Sequence, residues 1–162
     1  MKGLSICALA IVIALAGAPS TADARDTVSA ADVKTVRDCA KTKFDQVDAN
    51  SCIFIIATPC TKTPAGQKTF GEADCYRREA AAWDVVLNET FRNLRATLDH
   101  AQNRKLRDMQ RAWIAERDQT CAFYHTVTQG SMAVPMGAAC VNRHNAERTM
   151  LLMFFLSVAP GR

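Results

Sequence analysis

The segment Ala80-Ala81-Ala82-Trp83-Asp84-Val85-Val86-Leu87-Asn88-Glu89-Thr90-Phe91-Arg92-Asn93-Leu94-Arg95-Ala96-Thr97-Leu98 decides the fold class. Ala80, Trp83, Leu87, Phe91, Leu94 and Leu98, with Ala101 beyond, advance by three or four residues at every step. That period gives a helix one apolar stripe, and no strand can use it. From Phe70 to about Ala101 there is no proline, and the only glycine is Gly71, so the spacing predicts one long helix over that range. Thr69 followed three residues later by Glu72 reads as a capping box at its start.

Downstream, His100-Ala101-Gln102-Asn103 predicts a tight connection into a second helix from about Arg104 to His125. Leu106, Met109, Gln110, Trp113, Arg117, Cys121 and Tyr124 share one side of it. Two such helices joined so closely fold into an antiparallel hairpin. Folding about the connection sets Leu98 against Leu106, Leu94 against Gln110, and Phe91 against Trp113. Leu87 and Asn88 then meet Arg117, and Asp84 lies opposite Thr120 within reach of Arg117. A slip of one residue would break the apolar end and the polar end together.

Further out, Ser29 is placed to cap a helix carrying Val33, Val36, Ala40, Phe44 and Val47, ending near Asp48-Ala49-Asn50. Cys52 to Ala57 reads as one or two turns packed on the core, and Pro59, Pro64 and Gly66 mark a loop. A second loop is expected from Thr126 to Ala139, then a final helix from about Met136 to Val158 that Pro160-Gly161 terminates. Met150 to Leu156 is unbroken apolar sequence but far shorter than the ~20 residues a membrane span needs. The fold class is all-α: a disulfide-stapled antiparallel helical hairpin with flanking N- and C-terminal helices.

The chain of 162 residues is one domain's worth, and 20 Lys+Arg against 16 Asp+Glu is too small and scattered an excess for a nucleic-acid footprint. Its start reads as a secretory signal peptide: Met1-Lys2, an uncharged run from Leu4 to Ala16, and Ala22-Asp23-Ala24 as a cleavage signal. Cleavage after Ala24 discards Cys7 and leaves a single domain from Arg25 to Arg162, bound for an oxidising compartment. Cys39, Cys52, Cys60, Cys75, Cys121 and Cys140 remain, none at C-x-x-C spacing, which favours structural disulfides over zinc or thioredoxin chemistry. Six thiols allow 15 connectivities, among which the sequential one closes three short loops.

A longer pattern now stands out. Cys75-x3-Glu79-x3-Trp83-Asp84-x2-Leu87-Asn88-x2-Phe91 is followed by Leu106-x3-Gln110-x2-Trp113-Ile114-x2-Arg117-Asp118-x2-Cys121, then by Cys140-Val141 and Arg148. It resembles the LprI-like lysozyme-inhibitor domain family over roughly Cys60 to Leu152, the Gln110 to Cys121 segment being the most specific part. Cys39 and Cys52 look like an extension found in some members. His144 stands where that family usually has Thr, and Phe91 where Tyr is commoner. The resemblance implies a periplasmic or secreted helical protein without catalysis, in a family where lysozyme inhibition has been attributed to a member.

Asp84, Asn88, Gln110, Arg117 and Arg148 form the candidate site. They read either as a buried network in which Arg117 donates to Asp84 and Asn88, or as a cluster with one open rim that grips a partner's carboxylate. Trp83, Leu87, Phe91 and Trp113 read as core anchors. Gln129, Gly130, Ser131 and Met132 near the tip of the second loop are a candidate binding surface. Glu79 and Asp84, five apart on a helix, diverge too far for a glycosidase pair. His100, His125 and His144 stand in no H-E-x-x-H arrangement, and Gly130-Ser131-Met132 is no nucleophile elbow. No catalytic residue, cofactor or metal is therefore assigned. The expected partners are a protein, a lysozyme on the resemblance, and an anionic envelope surface contacted by Arg92, Arg95, Arg104, Lys105, Arg107 and Arg111 around the hairpin tip. The rival role is an envelope structural or stress-related module that binds no lysozyme.

Overall fold

The computed structural model describes residues 28–46 and 49–159. The expected signal segment 1–24 with Cys7, Val47, Asp48 and the expected Pro160-Gly161 terminator lie outside those residues. Helices α1 (Ala30–Lys43), α2 (Ala57–Thr61), α3 (Thr69–Ala96), α4 (His100–Val127) and α5 (Ala133–Val158) are joined by short connections, with a 3-10 turn at Ala49–Cys52. No strand occurs among the described residues. Three disulfides pair the cysteines sequentially, Cys39 with Cys52, Cys60 with Cys75 and Cys121 with Cys140.

Local chemistry sets the helix ends. Ser29 caps α1, its hydroxyl accepting from the Asp32 amide at 3.4 Å. α1 stops at Lys43, several residues before Asn50, so Phe44 is its C-cap residue rather than part of its stripe. The α3–α4 connection is Thr97 to Asp99, not His100 to Asn103, because Asp99 is the N-cap of α4. Its carboxylate accepts from the Gln102 amide at 2.8 Å, and the Gln102 side chain accepts from the Asp99 amide at 2.9 Å. Asn103 closes the turn from within α4, its side-chain amide donating to the carbonyls of Leu98 and Arg95. Thr69 caps nothing: it is already helical, Lys68 precedes it as a cap residue without a side-chain bond, and the Glu72 carboxylate takes the Tyr76 hydroxyl instead. The second loop is only residues 128–132, because α5 starts at Ala133. Pro135 falls in its first turn, where a missing N–H costs nothing.

α3 is the central column. α1, α2 and α5 all pack on it, and α5 carries α4 on its other side. The expected hairpin exists in topology, but α3 and α4 are not each other's main neighbours, since α5 wedges between them and fills the space beneath. Close approach at the far end of α4 needs Gly137, where a Cβ would sit 3.3 Å from the Cys121 carbonyl oxygen.

Two apolar clusters follow. Val33, Val36 and Ala40 of α1 meet Ala82, Trp83 and Val86 of α3 and Ala146 and Met150 of α5. Toward the tip, Leu87 and Leu94 meet Leu106 of α4 and Leu152 of α5. Two ion pairs fasten α1 to α3: Arg78 grips Asp32 with two bonds of 2.6 and 2.8 Å, and Arg37 pairs with Glu89 at 2.8 Å. On the side of α3 that meets the 52–57 segment, Glu79 is fully buried and accepts four hydrogen bonds, from the amides of Phe54, Ile56 and Ala57 at 2.7 Å each and from the Trp83 indole at 3.0 Å. This carboxylate pins the 52–57 segment to α3 and holds Phe54 at a φ of 70°.

Candidate functional site

A groove runs between the edges of α3 and α4 and is lined by residues of these two helices. Asp84, Leu87, Asn88 and Phe91 form one wall, and Gln110, Trp113, Ile114 and Arg117 the other. The helical period that makes these helices amphipathic brings the wall residues to one edge of each. Residues that the hairpin pairing sets on facing sides, Leu87, Asn88 and Phe91 against Trp113 and Arg117, do line one groove, but the expected bonding is absent.

Arg117 does not donate to Asp84 or Asn88. Its Nη1 donates to Asn145 Oδ1 at 2.9 Å, while Nε and Nη2 both donate to Asp118 Oδ1, at 2.9 and 2.8 Å. Asn145 in turn donates to the Ala80 carbonyl at 3.1 Å, so α5 links α4 to α3 at this point. Asn88 satisfies itself within α3, donating to the Asp84 carboxylate at 2.9 Å on the exposed wall. The expected single network is thus two, separated by the groove, because the wedged α5 offers Arg117 a nearer partner than α3 does.

Arg148 lies beneath Trp113. Only 7 % exposed, it donates from Nε to Gln110 Oε1 at 2.9 Å, and its Nη2 is buried with no hydrogen-bond partner. Burial pulls its pKa below the ordinary arginine value, yet a guanidinium stays charged at neutral pH. Trp113 relieves part of this cost: the guanidinium carbons of Arg117 and Arg148 lie 4.9 and 5.4 Å from its ring centroid. Trp113 and Phe91 are half-buried at the groove, whereas Trp83 and Leu87 are interior.

Asn145 and Asp118 are site residues that the sequence reading missed. Asn142, also missed, is fully buried with both amide atoms unpaired. The signal was present: Asn142, Asn145 and Arg148 recur every three residues on a helix that is otherwise mostly apolar. Glu79 is a structural acceptor and Asp84 is exposed.

The Gln129 to Met132 loop sits at the far end of α4, about 40 Å from the hairpin tip by helix rise. Met132 there is 49 % exposed and stands near exposed Phe123, Val127 and Met136 in sequence. Cys121, Cys140 and His144 cluster, but both sulfurs are committed to the disulfide, which leaves one metal ligand. His144 Nδ1 instead faces Glu116 at 3.6 Å.

A family model described as Lysozyme inhibitor LprI matches residues 60–152. That range holds α3, α4, both groove walls, Arg148 and two of the three disulfides, and it leaves out α1 and the Cys39–Cys52 bond. No curated protein and no solved structure matches the chain.

Proposed function

Because the chain belongs to the LprI lysozyme-inhibitor family, we propose that it is a non-catalytic periplasmic or secreted binding protein whose partner is a lysozyme. The signal segment, cut after Ala24, would deliver the single domain 25–162 to an oxidising compartment suited to its three disulfides. The observation that carries the reading is Arg148, a desolvated positive charge under the groove with one donor unused. A partner carboxylate entering between Asn88 and Arg117 gains from that charge where water competes little. Arg117 then orients the carboxylate, Gln110 and Trp113 hold Arg148 in place, and Asp84 with Asn88 forms the polar rim. The Gln129 to Met132 loop supplies a second contact, partly preorganised by the Cys121–Cys140 bond at its base.

The test is a lysozyme activity assay with purified, oxidised protein against several lysozyme types. Inhibition near stoichiometry, lost in Arg117→Met while its melting temperature holds, supports the reading. Failure at excess with every type removes it. The rival, an envelope interaction module that binds no lysozyme, is favoured by the net charge of +4. A basic tip repels the strongly basic lysozymes and draws anionic partners.

A further inference from the structure

The last two turns of α5 leave an apolar stripe uncovered. Leu151, Phe154 and Val158 are 40, 46 and 61 % exposed, and their spacing puts them on one side of the helix. Phe155 and Val158 continue this surface into a cleft with Leu94, Leu98, Leu106 and Met109 at the hairpin tip. On the other flank, Met153 and Leu156 join Phe44 of α1 in a second shallow cleft edged by Lys41. Exposed contiguous apolar surface of this kind marks an interaction site.

The charges around it say with what. Arg92 and Arg95 end α3, Arg104 and Lys105 begin α4, and Lys41 ends α1; none of the five forms an ion pair with a described residue. The acids at this end are largely spoken for: Glu89 is paired with Arg37, Asp108 with Arg111, and Asp99 caps α4. Lys105 edges the first cleft and Lys41 the second, with Arg92, Arg95 and Arg104 on the helix ends at the same end of the molecule; apolar side chains beside such cations suit a surface that is greasy inside and anionic outside. A second copy of the chain would set these cations against themselves, since a twofold interface pairs a patch with its own image.

We propose that the hairpin-tip end of the molecule docks on an anionic phospholipid bilayer. Phe154 and Val158 enter the boundary between headgroups and acyl chains, and Arg92, Arg95, Arg104, Lys105 and Lys41 lie at phosphate level. Phe154 and Val158 lie beyond the residues matched by the family, so this inference stands apart from the lysozyme reading. Docked this way, α4 carries the groove and the 129–132 loop away from the membrane.

Flotation of the oxidised protein with vesicles decides it. Vesicles of equal phosphatidylglycerol and phosphatidylcholine should carry the protein upward, and phosphatidylcholine alone should not. Arg104→Gln with Lys105→Gln should weaken partitioning by roughly 25-fold, about fivefold per charge. Phe154→Ser with Val158→Ser should weaken it by about tenfold. Both pairs of side chains are exposed, so an unchanged melting temperature accompanies either loss. Added salt should weaken the binding. The proposal is overturned by no flotation with anionic vesicles, by equal flotation with neutral ones, or by a vesicle-free dimer that Phe154→Ser dissociates.

Discussion

α3 and α4 are the same length, 28 residues each, and adjacent in the chain, yet ten residues of α3 are buried against three of α4. α3 meets α1, α2 and α5, whereas α5 is the principal neighbour of α4. Length and amphipathic patterning are therefore poor guides to what a helix does in a fold. α3 serves as the column on which others pack. α4 buries only Leu106 in the tip cluster, Gln110 on Arg148 and Cys121 in its disulfide, is tied further to α5 by Arg117 on Asn145, and shows much of its remaining surface to solvent.

The sharpest way to break this contrast is Glu79→Ala on the column. It strips the acceptor from two buried amides, the part-buried amide of Phe54 and a buried indole, and at 1–3 kcal/mol for each orphaned group the loss is on the order of 5 kcal/mol. Thermal unfolding should show a Tm lower by about 15 °C. On the arm, replacing Cys121 and Cys140 with Ser should cost about 3 kcal/mol for a separation of 19 residues. Hydrogen exchange would locate the damage: amides of 117–127 lose protection while those of 79–94 keep theirs. Equal loosening of both helices would contradict the division of labour.

Smaller effects separate the two members of the arm's polar contact. Gln110→Leu leaves Arg148 Nε unpaired in the interior and should cost about 2 kcal/mol by denaturant titration. Arg148→Met removes the buried charge and its unused donor but leaves the Gln110 acceptor unpaired, so the two effects offset and the net loss should be no more than about 1 kcal/mol. Loss of more than that would make Arg148 a structural residue and remove it from the binding role.

The smallest expected effect lies on the outer face of α1. The hydrogen bond from Lys34 holds the Asp38 carboxyl below its ordinary pKa. A depressed carboxylate stabilises above its unfolded pKa and loses that contribution as pH falls through the folded value. The pair is solvent-exposed, so Lys34→Met should leave Tm unchanged while the Asp38 titration, followed by NMR, moves up toward the ordinary carboxylate range.

Much of α3 was legible because its own stripe carries the information: Trp83, Leu87 and Leu94 are interior, as their period requires. The start of α4 was legible too, in Asp99 and Gln102, but the competing run His100 to Asn103 looked more like a turn. Long-range choices were not. Nothing near Glu79 in sequence announces donors 22 to 25 positions upstream, and nothing near Arg117 announces that α5 would bring Asn145 closer than Asp84. Pairing two helices by register fixes which residues face each other, whereas their separation depends on what a third helix inserts.

The disulfides pair each cysteine with the next one along the chain, at separations of 13, 15 and 19 residues. As the chain emerges from its N-terminus, each thiol meets its native partner before the following pair has appeared. Three bonds made in that order reach one of the fifteen connectivities with no wrong bond to be undone. Oxidative folding can thus run to completion without an isomerase, and reduced protein refolded in air should reach the same bonds only after a slower search through scrambled intermediates.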